Sequence, residues 1–245
     1  LLGITALGAI HNLAGKHDQY NLLPFQDPAS PVVEAYRIIR SNIEFKTADR
    51  PVKSIVVTSL DRSAGKSITV ANLGIIMAHA GYRTIIVDAD LREPAQHHLF
   101  QLANSKGLTT AILTAELDLS QQVIETKVQN LQVLTSGKTP LNSAELLGSQ
   151  GMRRVLAGLN EIADVVIYDS PPVLGITHAS ILANRMDGTV LVIEAGQTHL
   201  EEARQALSTL QQANANVIGA ILNRSRPAYR KYYSFSKKFI APDSV

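Results

Sequence analysis

The sequence predicts an α/β protein built on a mostly parallel β-sheet flanked by helices. Three observations lead there. From residue 54 onward, short β-branched runs alternate with helical patterns, and such alternation implies crossover units, because parallel neighbours need a connection long enough to return over the sheet face. The chain has 245 residues, 45% apolar and 18% charged, which allows a real core and excludes collagen-like, coiled-coil and wholly disordered classes. It has no cysteine, so disulfide scaffolds, thiolate zinc sites and cysteine nucleophiles are ruled out. No apolar run approaches the ~20 residues of a membrane span, and LLGITALGAI at the start lacks the basic opening and cleavage pattern of a signal peptide. The expectation is a globular chain that crosses no membrane; Leu1 in place of Met reads as a chain cut from something longer.

Residues 1–29 mix Gly, Asn, Asp and Pro without sustained periodicity and read as an N-terminal arm or linker. At Ser30-Pro31 the pattern changes: Ser is a good N-cap and Pro suits the first helical position, so a helix is expected over 31–45. At about 100° per residue, Tyr36, Ile39 and Ile43 form one stripe, able to bury. Glu34, Arg37 and Arg40 form a second stripe that stays available; by spacing alone it is an exposed intrahelical charge pair.

Then come SIVVTS (54–59), a helix over 67–80, TIIVD (84–88), LQVLTS (131–136), a helix over 152–163, DVVIYDS (164–170), GTVLVIEA (188–195), a helix over 200–213 and NVIGAILN (216–223). Residues 93–150 resist parsing apart from the LQVLTS run, and there is no internal repeat. This gives an arm over 1–29, a main domain over 30–223 and a tail over 224–245. The formal charge of +2 is uneven. Arg224, Arg226, Arg230, Lys231, Lys237 and Lys238 fall in fifteen residues without an acid, which leaves 17 basic against 21 acidic residues elsewhere. A basic tail of this kind stays solvated or meets an anionic partner. With an acidic body, a nucleic-acid arm is the lesser reading and no nucleic-acid partner is expected.

Parallel strands place their carboxyl ends on one edge, where ligands of open α/β sheets bind. SLDRSAGKS (59–67) lies between a strand and a helix. GKS at such a turn is the core of a phosphate-binding loop: backbone N–H groups hold phosphate oxygens, Lys66 reaches the β and γ phosphates, and the Ser67 hydroxyl ligates Mg²⁺. The full pattern wants Gly where Leu60 stands, and GKS alone is equally an ordinary strand-to-helix turn. TIIVDADLR adds Asp88 and Asp90 at one strand end and VVIYDSPP adds Asp169 at another. Each alone could be a helix cap; three on the edge that carries GKS are what a Mg²⁺-nucleotide site requires. Asn223, ending the last strand, can offer a donor and an acceptor to an adenine edge, although by itself it reads as a turn residue. Histidines 97 and 98 do not make a metal site, since adjacent residues point apart and no partner is spaced to join them.

These segments together resemble the bacterial tyrosine kinases. IIVDADLR resembles their variant Walker motif, VVIYDSPP their Walker B, and SLDRSAGKS their Walker A, usually S-x-x-P-G-E-G-K-S. EAYRIIR fits their E-x-x-R-x-x-R oligomerisation motif, and AYRKYY matches their terminal tyrosine cluster. The similarity spans roughly residues 30–233; the Walker motifs singly are shared with chromosome-partitioning and cell-division-positioning ATPases. The resemblance implies a P-loop NTPase fold of the deviant-Walker type and a kinase that uses ATP and Mg²⁺, leaves ADP, and phosphorylates its own Tyr229, Tyr232 and Tyr233. It implies control of capsular or exopolysaccharide synthesis and export. It also implies a homo-oligomer such as a ring assembled through Glu34, Arg37 and Arg40, protein tyrosine substrates, and a cytoplasmic place at the inner membrane face through an adaptor of the polysaccharide chain-length type, fused or separate.

By the same resemblance the nucleotide rests on Arg62, Ser63, Ala64, Gly65, Lys66, Ser67 and Ile68. Lys66 neutralises charge, Ser67, Asp88 and Asp169 hold the metal, and Asp90 accepts the tyrosine proton. Arg62 and Ser63 stand where the family has Pro-Gly, and only three tyrosines cluster in the tail. Two other readings compete: a positioning ATPase that phosphorylates no protein, and a non-catalytic scaffold whose nucleotide site Arg62 has weakened.

Overall fold

A computed structural model describes residues 3–11, 22, 27–114 and 118–225. Tyr229, Tyr232, Tyr233 and the rest of the basic tail beyond 225 lie outside the described residues.

Among the described residues, eight strands form one sheet in the order β1-β8-β7-β2-β6-β3-β5-β4. They are β1 (Ala6–His11), β2 (Ser54–Ser59), β3 (Thr84–Asp88), β4 (Ile124–Glu125), β5 (Leu131–Leu134), β6 (Val165–Asp169), β7 (Gly188–Glu194) and β8 (Val217–Ser225). Every pairing is parallel except β4 with β5. The central strands β2, β3 and β6 are buried along their whole length, which is why they read as continuous apolar runs rather than alternating ones. Helices cover both faces, and each face has its own apolar core. One holds Val56, Ile85, Val87, Leu134, Val166 and Tyr168, the other Ile55, Val57, Ile86, Val133, Ile167 and Val190. The division follows the period of two along each strand.

The first helix, α1 (Pro31–Lys46), starts where the sequence places it: the Ser30 side chain accepts from the Val32 N–H and Pro31 opens the first turn. Tyr36, Ile39 and Ile43 bury as one stripe. The Tyr36 hydroxyl bonds to Thr69 and Asn72 of α2 (Lys66–His79), and burial pushes the phenol up to about 12. The arm expected over 1–29 is corrected at residues 6–11. They form the edge strand β1, parallel to β8, because Leu7 and Ile10 have an apolar surface to reach beneath α1. Asn42 donates to the Leu7 carbonyl at 2.8 Å, and a Cβ at Gly8 would stand 2.6 Å from Ile39 Cγ1, so the helix lies close on the strand. The tail boundary moves as well. Arg224 and Ser225 belong to β8, where Arg224 pairs with Glu194 at 2.8 Å and Ser225 Oγ donates to the Ile10 carbonyl at 3.3 Å.

The stretch over 93–150 holds short pieces: α3 (Gln96–Leu99), α4 (Leu108–Leu113), a 3₁₀ turn (Leu119–Gln121), β4, β5 and α5 (Ser143–Gly148). None but β5 is long enough to show a period. Beyond it lie α6 (Gln150–Ile162), α7 (His178–Ala183) and α8 (Leu200–Gln212). Among the described residues no helix is long and apolar enough to cross a membrane.

Candidate active site

The site sits where β2, β3 and β6 end. Register fixes its geometry: Val57 faces Asp169 across β2 and β6, and Asp88 faces Asp169 across β3 and β6. Two strand-end carboxylates are thus held side by side by the sheet itself. The segment from Leu60 to Gly65 turns from β2 into α2. Leu60, where the full phosphate-loop pattern has Gly, is buried in the core and anchors the start of the turn. Ser63 and Gly65 both take positive φ, at 65° and 86°. Gly65 has no latitude, because a Cβ there would run into Asn223 Nδ2. A loop whose backbone approaches this closely is a cradle built from main chain, and its amides lead into the α2 N-terminus, where Lys66 and Ser67 begin the helix.

Arg62 and Asn223 each make a contact beside that loop. The Arg62 guanidinium is exposed and pairs with Glu93 at 2.5 Å, leaving the turn itself clear. Asn223 is buried; its Nδ2 donates to the Ala64 carbonyl at 2.8 Å and its Oδ1 accepts from the Arg224 N–H at 2.9 Å. The last strand therefore fastens the loop from beneath. Ala64 is buried on the same side.

Lys66, only 7% exposed, carries its charge among acids and lowers the proton affinity of both Asp90 and Asp169. Asp88 and Asp169 are fully buried. Burial first, and the neighbouring carboxylate second, hold Asp88 well above the usual carboxylate range. Burial pushes Asp169 up to about 6 against the opposing pull of Lys66, Gln96 and Ser67. Asp90, also raised by burial, accepts from the Arg92 and Glu93 N–H groups through Oδ1 at 3.3 and 3.1 Å and keeps some exposure.

The carboxylate oxygens divide their work. Asp88 Oδ2 caps α3, accepting from Ala95 N–H and Gln96 N–H at 2.9 Å each. Asp169 Oδ2 accepts from Gln96 Nε2 at 2.8 Å, and the Ser67 hydroxyl bonds the same carboxyl group. Asp88 Oδ1 and Asp169 Oδ1 are buried with no protein partner. Orphaned carboxylate oxygens side by side at a phosphate cradle, with Ser67 between cradle and acids, suit a hard divalent cation that takes oxygen ligands and keeps waters. Ser67, Asp88 and Asp169 would hold Mg²⁺ there.

Sequence reading missed one member of the site. Gln96 is fully buried at the start of α3 and touches all three motif segments. It lies outside every motif, and only its place eight residues after Asp88 could have drawn attention to it. Histidines 97 and 98 follow it and, contrary to the expectation that adjacent residues point apart, their rings meet with centroids 3.8 Å apart. Of the α1 stripe, Glu34 and Arg37 are exposed and pair at 3.0 Å, whereas Arg40 is half-buried with its Nε drawn to Glu44 at 3.4 Å.

A parallel sheet with a main-chain phosphate cradle, an invading lysine and paired strand-end aspartates defines a P-loop phosphoryl-transfer domain. Comparison with known proteins narrows the class. The family model for the AAA domain matches residues 52–222. Tyrosine-protein kinase YwqD of Bacillus subtilis is 39% identical over 227 residues, covering 93% of this chain and 95% of that one. The crystal structure of the chimerical protein CapA2B2 superposes with a TM-score of 0.85 at 35% identity, covering 92% and 96% of the two chains. The kinase domain of the Escherichia coli tyrosine kinase ETK gives 0.82 at 28% identity over 93% and 94%. The chain belongs to the bacterial tyrosine-protein kinases, as a P-loop kinase domain.

Proposed function

We propose that this chain transfers the γ-phosphoryl group of ATP to tyrosines of its own C-terminal tail, Tyr229, Tyr232 and Tyr233, and through that reaction regulates the synthesis and export of a capsular or extracellular polysaccharide. The observation that carries the site assignment is the pair of unpartnered oxygens on Asp88 and Asp169 beside Lys66 and Ser67. Transfer breaks the bond between the γ-phosphorus and the ADP oxygen and forms one to the phenol oxygen, and ADP leaves. Lys66 and the main-chain amides from Ser63 to Ile68 hold and neutralise the phosphates. Ser67, Asp88 and Asp169 hold Mg²⁺, which when bound supplies charge neutralisation to the phosphates. Asp90, the acid with residual exposure, receives the phenol proton. A phenol of pKa about 10 needs positioning more than a strong base, so geometry and charge dominate the rate.

Glu34 and Arg37, exposed, and Arg40, half-buried beside them, lie on a helix braced by β1 and form the contact to a second copy, which brings one subunit's tail to its neighbour's site. The assembly works at the inner membrane face beside an adaptor of the polysaccharide chain-length type. Incubation with γ-labelled ATP and Mg²⁺ tests the reading: label on the chain, lost in Lys66→Met, supports it. Label released only as free phosphate marks a positioning ATPase, and no turnover marks a scaffold; either contradicts it.

A further inference from the structure

Among the described residues, Gln96 is bonded to all three segments of the site. Its backbone N–H donates to Asp88 Oδ2 at 2.9 Å, and its side-chain Nε2 donates to Asp169 Oδ2 at 2.8 Å and to the Ser67 carbonyl at 3.0 Å. A carboxamide nitrogen has two hydrogens, and both are spent. The residue is fully buried, and its Oε1 has no partner. A buried acceptor left unmade is costly and is unusual in a well-packed core. Oε1 shares its carbon with Nε2, so it cannot be far from Asp169 and Ser67. The site therefore holds three buried oxygens in want of donors: Asp88 Oδ1, Asp169 Oδ1 and Gln96 Oε1.

We propose that Gln96 is the positioning residue of the cation site, resting on the Mg²⁺-nucleotide reading above. Through Nε2 it locks Asp169 to the start of α2, so that the carboxylate presents Oδ1 rather than rotating between its two oxygens. Through Oε1 it accepts from a water of the hydrated cation, the donor its surroundings lack. Magnesium sheds its waters reluctantly, so a cluster of acceptors suits it better than a closed cage. Outer partners of this kind set metal affinity by roughly 10- to 100-fold. Glutamate in the same place could not donate to Asp169 and would add a third acid to the pair; the amide gives the reach without the charge.

The test measures the affinity of a fluorescent ADP analogue in excess Mg²⁺ and in EDTA, for the unsubstituted chain and for Gln96→Met, which fills the same volume without polar atoms. The unsubstituted chain should bind more tightly with Mg²⁺. In Q96M that advantage should shrink about tenfold or more, with affinity in EDTA unchanged within about twofold. Equal weakening in both conditions, or an advantage as large as in the unsubstituted chain, overturns the inference and leaves the nucleotide reading standing. An unsubstituted chain indifferent to Mg²⁺ overturns both. A second measurement needs no substitution: the Gln96 side-chain amide, assigned by triple-resonance NMR, should shift when Mg²⁺ is added to the ADP-loaded chain, and an unmoved amide overturns the proposal even if Q96M does not fold.

Discussion

Asp88 and Asp169 stand opposite each other in register on adjacent parallel strands, both fully buried and each with one oxygen unpartnered. Two carboxylates so placed oppose each other's ionisation, and burial adds to that cost in the folded chain.

Asp169→Asn should therefore stabilise the metal-free chain while abolishing phosphoryl transfer. In the folded state Asp169 is raised to about 6. A raised carboxyl favours the folded state while protonated, and that contribution is lost as the unfolded chain ionises first, between about pH 4 and 6. Asparagine keeps an acceptor for Gln96 and Ser67 and carries no charge. The variant should gain roughly 1–3 kcal/mol over the parent at pH 7 and little at pH 4. Denaturant unfolding at the two pH values checks this; a variant less stable at pH 7, or a gap that does not widen with pH, contradicts it.

Gly65→Ala should cost nucleotide binding at least about tenfold, because φ of 86° disfavours any Cβ and Asn223 Nδ2 occupies the space. Asn223→Ala alone removes the bond to the Ala64 carbonyl, worth about 1 kcal/mol. Since the second change vacates the space the first needs, the double variant should lose less than the two singles summed. Stability and ADP affinity of the four chains give the cycle; strict additivity would show that Asn223 does not hold the loop.

The triple variant Glu34→Ala, Arg37→Ala, Arg40→Ala should be monomeric by multi-angle light scattering at concentrations where the parent assembles. Its unfolding should change little, because these side chains make two pairs along the helix, Arg37–Glu34 and Arg40–Glu44, worth about 0.3–0.5 kcal/mol each, and one exposed bond off it, from Arg37 to the Pro28 carbonyl at 3.3 Å. An oligomer that persists in the variant refutes the contact.

The sheet was legible where burial leaves a mark in composition. SIVVTS and TIIVD, buried on both faces, are strands over their whole predicted lengths. Helix α1 was legible because Ser30 and Pro31 announce its start and Tyr36, Ile39 and Ile43 its buried face. β1 was not, since Ala6 and Gly8 dilute the apolar signal and its partner β8 lies more than two hundred residues away in sequence. The aspartates were legible as strand ends, and their pairing follows from register, which no local pattern encodes. Gln96 was illegible for the same reason: its three bonds reach across 8, 29 and 73 residues. Asn223 reads in sequence as a turn residue or a partner for an adenine edge; its bonds to the Ala64 and Arg224 backbone come from the fold and no local pattern encodes them.

The central claim, that this domain phosphorylates its own tail, is tested most directly by mapping phosphotyrosine by mass spectrometry after incubation with ATP and Mg²⁺. Tyr36 and Tyr168 are 2% and 0% exposed, and burial raises both phenols, so neither can meet an active site without unfolding. Phosphate should map to Tyr229, Tyr232 and Tyr233, and replacing those three by Phe should remove most of it with ADP binding intact. Undiminished phosphotyrosine in the triple Phe chain, mapped to Tyr20, Tyr36, Tyr82 or Tyr168, would contradict the account.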